Sequence, residues 1–560
     1  GEGVALAIKK IDGNLLRKAI INAAFVLRQN KKNVDALNVF PVPDGDTGTN
    51  MSLTMDQAVR ELEKVSSNDL KKIADALAWG SLMGGRGNSG VILSQLFRGF
   101  AQGIPSNKKS ITPYELATAY KNGVDAAYRA VMRPVEGTIL TVARETADKM
   151  IMEARRYEDL ETVLENTIKY GEKVLEKTPD MLKVLKEANV VDAGGKGLIF
   201  LMKGFLEAIK NPNLDVASLK EKNYESSYKT AYESEKIPQE IKYIYCTELL
   251  ITGKEIDINS LKQELDGIGD SMIVTGMGDL VKIHIHTNNP DRVLNAALKR
   301  GELSKIKIDN MKIQHNEIIN NEVVEENKAD IKISENKEMT SKKKVGVIAV
   351  SQGKGLNEIF KSMGADIIEG GQSMNPSTED ILSAIENSSY EDVIILPNNK
   401  NIILTAQQAK SISTKNVYVV PTKSIPQGIA ALLAFNPDFS VQENISNMER
   451  NIQNVISGEV TYAVRDTSWD GIKIKKGDII GIKEDDIVVI GDNKEKVLLD
   501  LVDKMAEGAI GGIITIYYGD DVSEDSVKEA VEALTEKYKD FDVEYYFGGQ
   551  SLYYYIVSLE

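Results

Sequence analysis

Cysteine is almost absent from this chain. Cys246 is the single one in 560 residues, which excludes an internal disulfide and fits a reducing compartment. Histidine is nearly as scarce: His284, His286 and His315 are all there are. No apolar run approaches the ~20 residues that span a bilayer, and the first residues carry no apolar signal-peptide core. The expected location is therefore the cytoplasm, with no membrane span. There is no long basic block, and the formal net charge is −15, so nucleic acid is not expected as the main partner.

What is present is ordinary for a soluble globular protein: 42% hydrophobic and 27% charged residues. The length exceeds what one core sustains, so two to four domains are expected. The first ~210 residues read as helices almost throughout, from apolar spacing and cap signals. Leu15, Leu16, Ala19, Ile20, Ala23 and Leu27 make one apolar face. Asn68 stands as N-cap before DLKKIADALAWGSLM, Thr112 opens a capping box with proline at the first helical position, and TPDMLKVLKEA from Thr178 is expected to start likewise. No strand is expected before residue 240.

The expected domains are an all-α segment 1–211, a polar linker 212–238, a middle domain 239–320, a second linker 321–343 and a C-terminal domain 344–560. The middle segment alternates as β-α-β-β-α-β, the ferredoxin-like order. After Lys344 the runs VGVIAVS, ADIIEG, DVIILP and NVYVVP alternate with helical stretches, which predicts a mostly parallel sheet. The stretch from GIITIYYGDD to the end reads as a further βαβ-type unit. The fold class is thus multidomain, α plus α/β.

Three joints in the helical segment invite a chemical reading. NVFPVPDGDTGTNM places Asp44 and Asp46 two residues apart on a stiff, turn-rich loop. Paired carboxylates there suit Mg²⁺, which takes one or two carboxylates with phosphate and water completing its shell. A solvated turn is the plainer alternative. In GGRGNSGV, Gly85, Gly87 and Gly90 leave room for positive φ, and the amides there with Asn88 and Ser89 suit a helix cap or an anion. The run is neither a Walker motif nor a dinucleotide fingerprint. DAGGKG puts Asp192 where it N-caps a helix or reaches a nucleotide base.

LNVFPVPDGDTGTNM, MGGRGNSGVILSQ, VEGTILTV and VVDAGGKGL, in that order, resemble the DhaL-type (DAK2) ATP-binding domain of dihydroxyacetone kinases. The variants in this chain look still more like the kinase subunit of bacterial fatty acid kinase. The resemblance implies a barrel of antiparallel amphipathic helices, with ATP and Mg²⁺ at one end. By position it assigns Asp44 and Asp46 to the metal and to catalysis. Asn38 stands near the place of a third metal ligand, one residue off in spacing. Thr47 and Asn50 are expected to line the metal or phosphate. Gly85, Gly87, Asn88 and Ser89 match the phosphate turn, while Thr138, Asp192, Gly194 and Gly195 match segments near the nucleotide. It also implies a homodimer through the N-terminal domain.

A hydroxyl acceptor would benefit from a general base, most often histidine. All three histidines lie outside the helical segment. A carboxylate acceptor, with a pKa of about 4–5, is already ionised at neutral pH and needs none. The expected reaction is ATP-dependent phosphorylation of a fatty acid carboxylate, giving acyl phosphate and ADP. The resemblance implies that a separate fatty-acid-binding carrier presents the acyl chain. The C-terminal domain resembles such carriers themselves (DegV-like), in VGVIAVSQGKGLNEIF and GGQSMNPSTEDIL. Ser373, with Ser377 or Thr378, matches the turn that holds a carboxylate there. Helix capping by Ser377 is the reading preferred, with the domain as a docking module. The alternatives are a dihydroxyacetone-type kinase and a nucleotide-sensing scaffold for an acyl carrier.

In LVKIHIHT, His284 and His286 share one strand face. A ferredoxin-like sheet sets the first and third strands side by side, bringing Cys246 and Glu248 near. Cys246, His284 and His286, with Glu248 or His315, make a candidate Zn²⁺ set of structural or regulatory kind. A polar sheet face covered by another domain, or a phosphohistidine or thiol relay, are the other readings.

Overall fold

A computed structural model of the chain describes residues 7–39, 42, 45–131, 133–216, 243–253, 256–277, 280–310, 345–371 and 374–560. The linker 321–343, residues 217–238 of the first linker, and Asp44, Ser373 and His315 lie outside the described residues, as do the side chains of Cys246, Glu248, His284 and His286. The chain divides into two compact units, residues 1–216 with 340–560, and residues 217–339. The first and last thirds, expected as separate domains, thus fold against each other as one unit.

Among the described residues, eight long helices form a closed ring: α1 (Gly13–Asp35), α2 (Thr47–Glu63), α3 (Leu70–Gly84), α4 (Gly87–Gly103), α5 (Pro113–Ala130), α6 (Ile139–Ala154), α7 (Leu160–Glu176) and α10 (Ala193–Lys210). Each packs on its successor, and α10 closes the ring against α7 and α1. Leu16, Ala19, Ala23 and Leu27 on α1 are buried, as the apolar face predicts, and join one core with Met51, Met55, Leu77, Leu93, Leu198 and Leu201. The close approach of α1 and α10 depends on Gly204, where a Cβ would lie 2.7 Å from the Ala23 Cα.

Thr112 caps α5 in a full capping box with Glu115, worth about 1 kcal/mol. Three expectations fail. Asp69, not Asn68, caps α3, accepting the Lys72 amide at 2.9 Å, because its side chain is the one placed three residues before that amide. TPDMLKVLKEA is not one helix: Leu182 is extended (φ −131°), splitting it into α8 (Thr178–Met181) and α9 (Lys183–Ala188). Thr178 does not cap, since its hydroxyl donates back to the Leu175 carbonyl. Finally, a two-strand ribbon precedes residue 240, β1 (Ile11–Asp12) with β2 (Ser110–Ile111).

In the second unit, β3 (Tyr245–Thr252), α11 (Ile258–Leu265), β4 (Gly269–Met277), β5 (Leu280–Thr287), α12 (Pro290–Leu298) and β6 (Glu302–Asn310) follow the expected order. The sheet runs β4-β5-β3-β6, antiparallel throughout. Leu249, Ile251, Val281, Ile283 and Ile285 form its core with Leu261 and Val293 from the helices.

The C-terminal part holds the expected parallel sheet, β10-β9-β7-β8, from β7 (Val345–Ser351), β8 (Asp366–Glu369), β9 (Asp392–Leu396) and β10 (Asn416–Val419). Helices α13 (Lys354–Ser362), α14 (Thr378–Asn387) and α15 (Ile403–Ile412) connect its strands. A second, six-stranded sheet follows: β11 (Ile456–Tyr462), β14 (Ile479–Lys483), β15 (Asp486–Gly491), β16 (Gly512–Tyr518), β17 (Phe541–Phe547) and β18 (Tyr555–Leu559), with a hairpin of β12 (Thr467–Trp469) and β13 (Ile472–Ile474) beside it. The run β16-helix-β17 is the parallel unit expected at the end. The strands between residues 456 and 491 were not legible, being short and broken by turns.

Candidate nucleotide and metal site

The described residues of the turn-rich loop between α1 and α2 are tied down by side-chain hydrogen bonds. Asn38 donates to the Asp35 carbonyl at 2.7 Å and accepts from the Thr47 hydroxyl at 2.6 Å. Asp35 accepts from the Thr49 amide at 3.0 Å and hydroxyl at 2.8 Å, and burial pushes its carboxyl up. Asp46 is the residue before α2, but its side chain makes no cap bond. That carboxylate is therefore spent on something other than its own helix.

The second joint is a left-handed turn. Gly87 has φ +61°, and a Cβ there would lie 2.5 Å from the Asn50 side-chain nitrogen. Only glycine lets the turn approach α2 this closely. Asn50 is buried, and the side-chain oxygen of Asn88 is buried with no partner among the described residues. The expected capping of α4 by Asn88 or Ser89 does not occur: Arg86 occupies the cap position, without a side-chain bond. Asp192 does cap α10, accepting from the Gly195 amide at 2.7 Å. Burial raises its pKa from 3.8 to about 6.

These joints converge. A cavity of about 590 Å³ is lined by Asn38, Asp46, Thr47, Asn50, Asn88, Ser89, Thr138, Asp192 and Gly194. Gly85, Gly87 and Gly195 do not line it. Gly87 and Gly195 shape the turns behind it, and the Gly85 carbonyl points away, accepting from the Thr378 amide at 3.0 Å. Asn38, Thr47 and Asp46 supply oxygen donors of the kind Mg²⁺ takes.

Sequence reasoning missed the other wall. The cavity is also lined by Lys400, Lys423, Ser424, Glu459 and Asp485 from the C-terminal part, and by Arg133 from the helical ring. Lys400 pairs with Asp485 at 2.7 Å. The 38–46 loop is gripped from the same side. The Asn375 side chain donates to Asp46 at 2.9 Å, Arg465 donates to the Asn38 and Val39 carbonyls, and Val42 is buried among Trp469, Ile480 and Ile482. No local motif announces these contacts. The preferred reading of Ser377 holds: it caps α14 in a capping box with Asp380.

In the middle segment the register sets Cys246 opposite His286 and Glu248 opposite His284. Among the described residues no group of three or more His, Cys, Asp or Glu is placed to hold a metal. The zinc expectation gains strand adjacency and nothing further.

Residues 41–207, which run from the turn-rich loop through the Gly87 turn into α10, match the DAK2 domain. Residues 242–318 and 346–560 match the middle and C-terminal domains of FakA-like fatty acid kinase proteins. The chain belongs to that FakA-like fatty acid kinase family. Protein YloV of Bacillus subtilis is 44% identical over 564 residues, covering 99% of this chain and all of that protein. The uncharacterized protein SH1689 of Staphylococcus haemolyticus is 42% identical over 560 residues, with 99% and 100% covered. Among solved structures, the fatty acid kinase B3 protein of Streptococcus pneumoniae, loaded with linoleic acid, is similar over 39% of this chain and 99% of that one, at 13% identity and TM-score 0.28. No described helix is long and apolar enough to cross a membrane.

Proposed function

We propose that this chain transfers the terminal phosphoryl group of ATP to the carboxylate of a fatty acid presented by a separate fatty-acid-binding protein, giving acyl phosphate and ADP. One observation carries the reading: four motifs far apart in sequence bring their polar residues to one cavity. The donor set of Asp46, Asn38 and Thr47 fits a hard dication, with Asp44 assigned to it by its place in the motif alone, and the unpartnered Asn88 oxygen is an acceptor that suits a cation or its bound water. Bound Mg²⁺ would neutralise phosphate charge and help align the transferred group.

The chain's own residues do the rest. Asp46 holds the cation in place. The turn at Gly87 presents Ser89 to the phosphates and the Asn88 oxygen to the cation's shell, while Thr138, Asp192 and Gly194 face the nucleoside. Arg133 and Lys423 offset negative charge from the opposite side. No base is required, because a fatty acid carboxylate is ionised at neutral pH, and every histidine of the chain lies outside the DAK2 segment.

The test is ADP release by the purified chain with carrier, fatty acid and Mg²⁺. Asp46→Ala is expected to cut turnover by at least about 10²-fold, the scale of losing one preorganised charge contact, while still binding the carrier. Undiminished turnover, or equal phosphorylation of free dihydroxyacetone without carrier, refutes the reading.

We read the middle segment as ferredoxin-like from its strand order, and the Cys246–His286 and Glu248–His284 pairs as favouring a structural zinc there. Metal content of the purified protein, before and after His286→Ala, tests this. The expected homodimer through the N-terminal ring is tested by sedimentation.

A further inference from the structure

The loop that carries Asp46 is held from the C-terminal part as well as by its own domain. Asn375 is 1% exposed, so the donor end of its bond to Asp46 is shielded from water. Its backbone carbonyl accepts from Arg86 at 2.8 Å, which anchors it independently of its side chain. Arg86 lies beside the Gly87 turn, and a Cβ on Gly87 would come within 3.5 Å of the Asn375 amide nitrogen. One residue of the C-terminal part therefore touches both the carboxylate loop and the phosphate turn. Arg465 and the apolar seat of Val42 hold the opposite end of the same loop.

We propose that Asn375, with Arg465 in support, is a positioning residue that aims the Asp46 carboxylate at the metal, so that the C-terminal part completes the kinase site in the same chain. This rests on the Mg²⁺ reading above. A carboxylate bonded on one oxygen by a buried amide presents its other oxygen in a single direction. Removing that bond takes away one fixed point of the side chain, so the cation must select among more orientations, which weakens binding. An oxygen donor displaced by even ~1 Å also costs turnover, since phosphoryl transfer depends on alignment.

The experiment compares the full chain with Asn375→Ala, Asn375→Ser and Gln408→Ala. Gln408 also joins the two parts, through Leu82 and Ser94, but does not reach Asp46. Mn²⁺ binding is titrated by EPR with a non-hydrolysable ATP analogue present, and the Mg²⁺ concentration for half-maximal ADP release is measured alongside thermal stability. Both Asn375 variants are expected to raise the Mn²⁺ dissociation constant and the Mg²⁺ half-saturation about 10–100-fold, the scale seen when a group hydrogen-bonded to a metal ligand is removed. Gln408→Ala is expected to leave both unchanged while lowering thermal stability. If Gln408→Ala shifts them equally, or the Asn375 variants bind Mn²⁺ like the wild type while Asp46→Ala is inactive, the positioning role is wrong and the Mg²⁺ reading stands. If Asp46→Ala keeps full turnover, the Mg²⁺ reading falls first.

Discussion

Asp192 offers a prediction whose size comes directly from the structure. Its carboxylate caps α10 through the Gly195 amide, yet burial raises its pKa from 3.8 to about 6. The ionised form is thus disfavoured in the folded chain, by about 3 kcal/mol at one pKa unit per ~1.4 kcal/mol. The favourable contribution is fully present below the unfolded value near 4 and is lost as pH rises through about 6. Asp192→Asn keeps an oxygen for the cap and removes the titration. At pH 4.5 it should exceed wild type by only about 1 kcal/mol. At pH 8 it should be more stable by up to about 3 kcal/mol, or some 3–4 °C for a cooperative unit of this size. Asp192→Ala should lack the same pH leg and lie about 1 kcal/mol below the asparagine variant at every pH, for the lost cap. Thermal melts from pH 4.5 to 8, without nucleotide and with a chelator, read all three. If wild type and Asp192→Asn run parallel across that range, or the asparagine variant is the less stable at pH 8, Asp192 is not a buried charge.

Three further outcomes follow from local geometry. Gly87→Ala meets the Asn50 side chain at 2.5 Å on a backbone with φ +61°; it should lose about 1–2 kcal/mol and weaken ATP affinity in a fluorescence titration, more than Gly364→Ala, which meets nothing within 4 Å although its φ is +92°. Gln408→Ala takes a donor from the Thr378 hydroxyl and from the Leu82 carbonyl at a buried contact, and calorimetry should find about 1–3 kcal/mol lost. Thr112→Ala breaks the capping box of α5 and should cost about 1 kcal/mol, with Mg²⁺ half-saturation unmoved because α5 is absent from the cavity.

Much of the site was legible in one dimension because its parts are local. The positive-φ turn at Gly87, the cap at Asp192 and the carboxylate next to α2 are each specified within a few residues, by glycine's freedom and by side chains short enough to reach the nearest amides. The middle segment was readable for the same reason, since period-two strands flanking short helices admit few pairings. Failures came where two local signals competed, as at Asn68 and Asp69, or where a threonine-proline start was overridden by the extended Leu182.

The sequence by itself determined the helical ring, the turn geometry of the three joints and the oxygen-rich chemistry they offer. Only the tertiary structure decided that a second part of the chain walls the cavity and fastens the carboxylate loop. Asn375 lies more than three hundred residues from Asp46, and the motif around it, GGQSMNPSTEDIL, pointed to a helix cap or a carboxylate-holding turn rather than to this contact. Its role arises from the burial of one amide against one carboxylate, a contact that exists only once both cores have formed and excluded water between them.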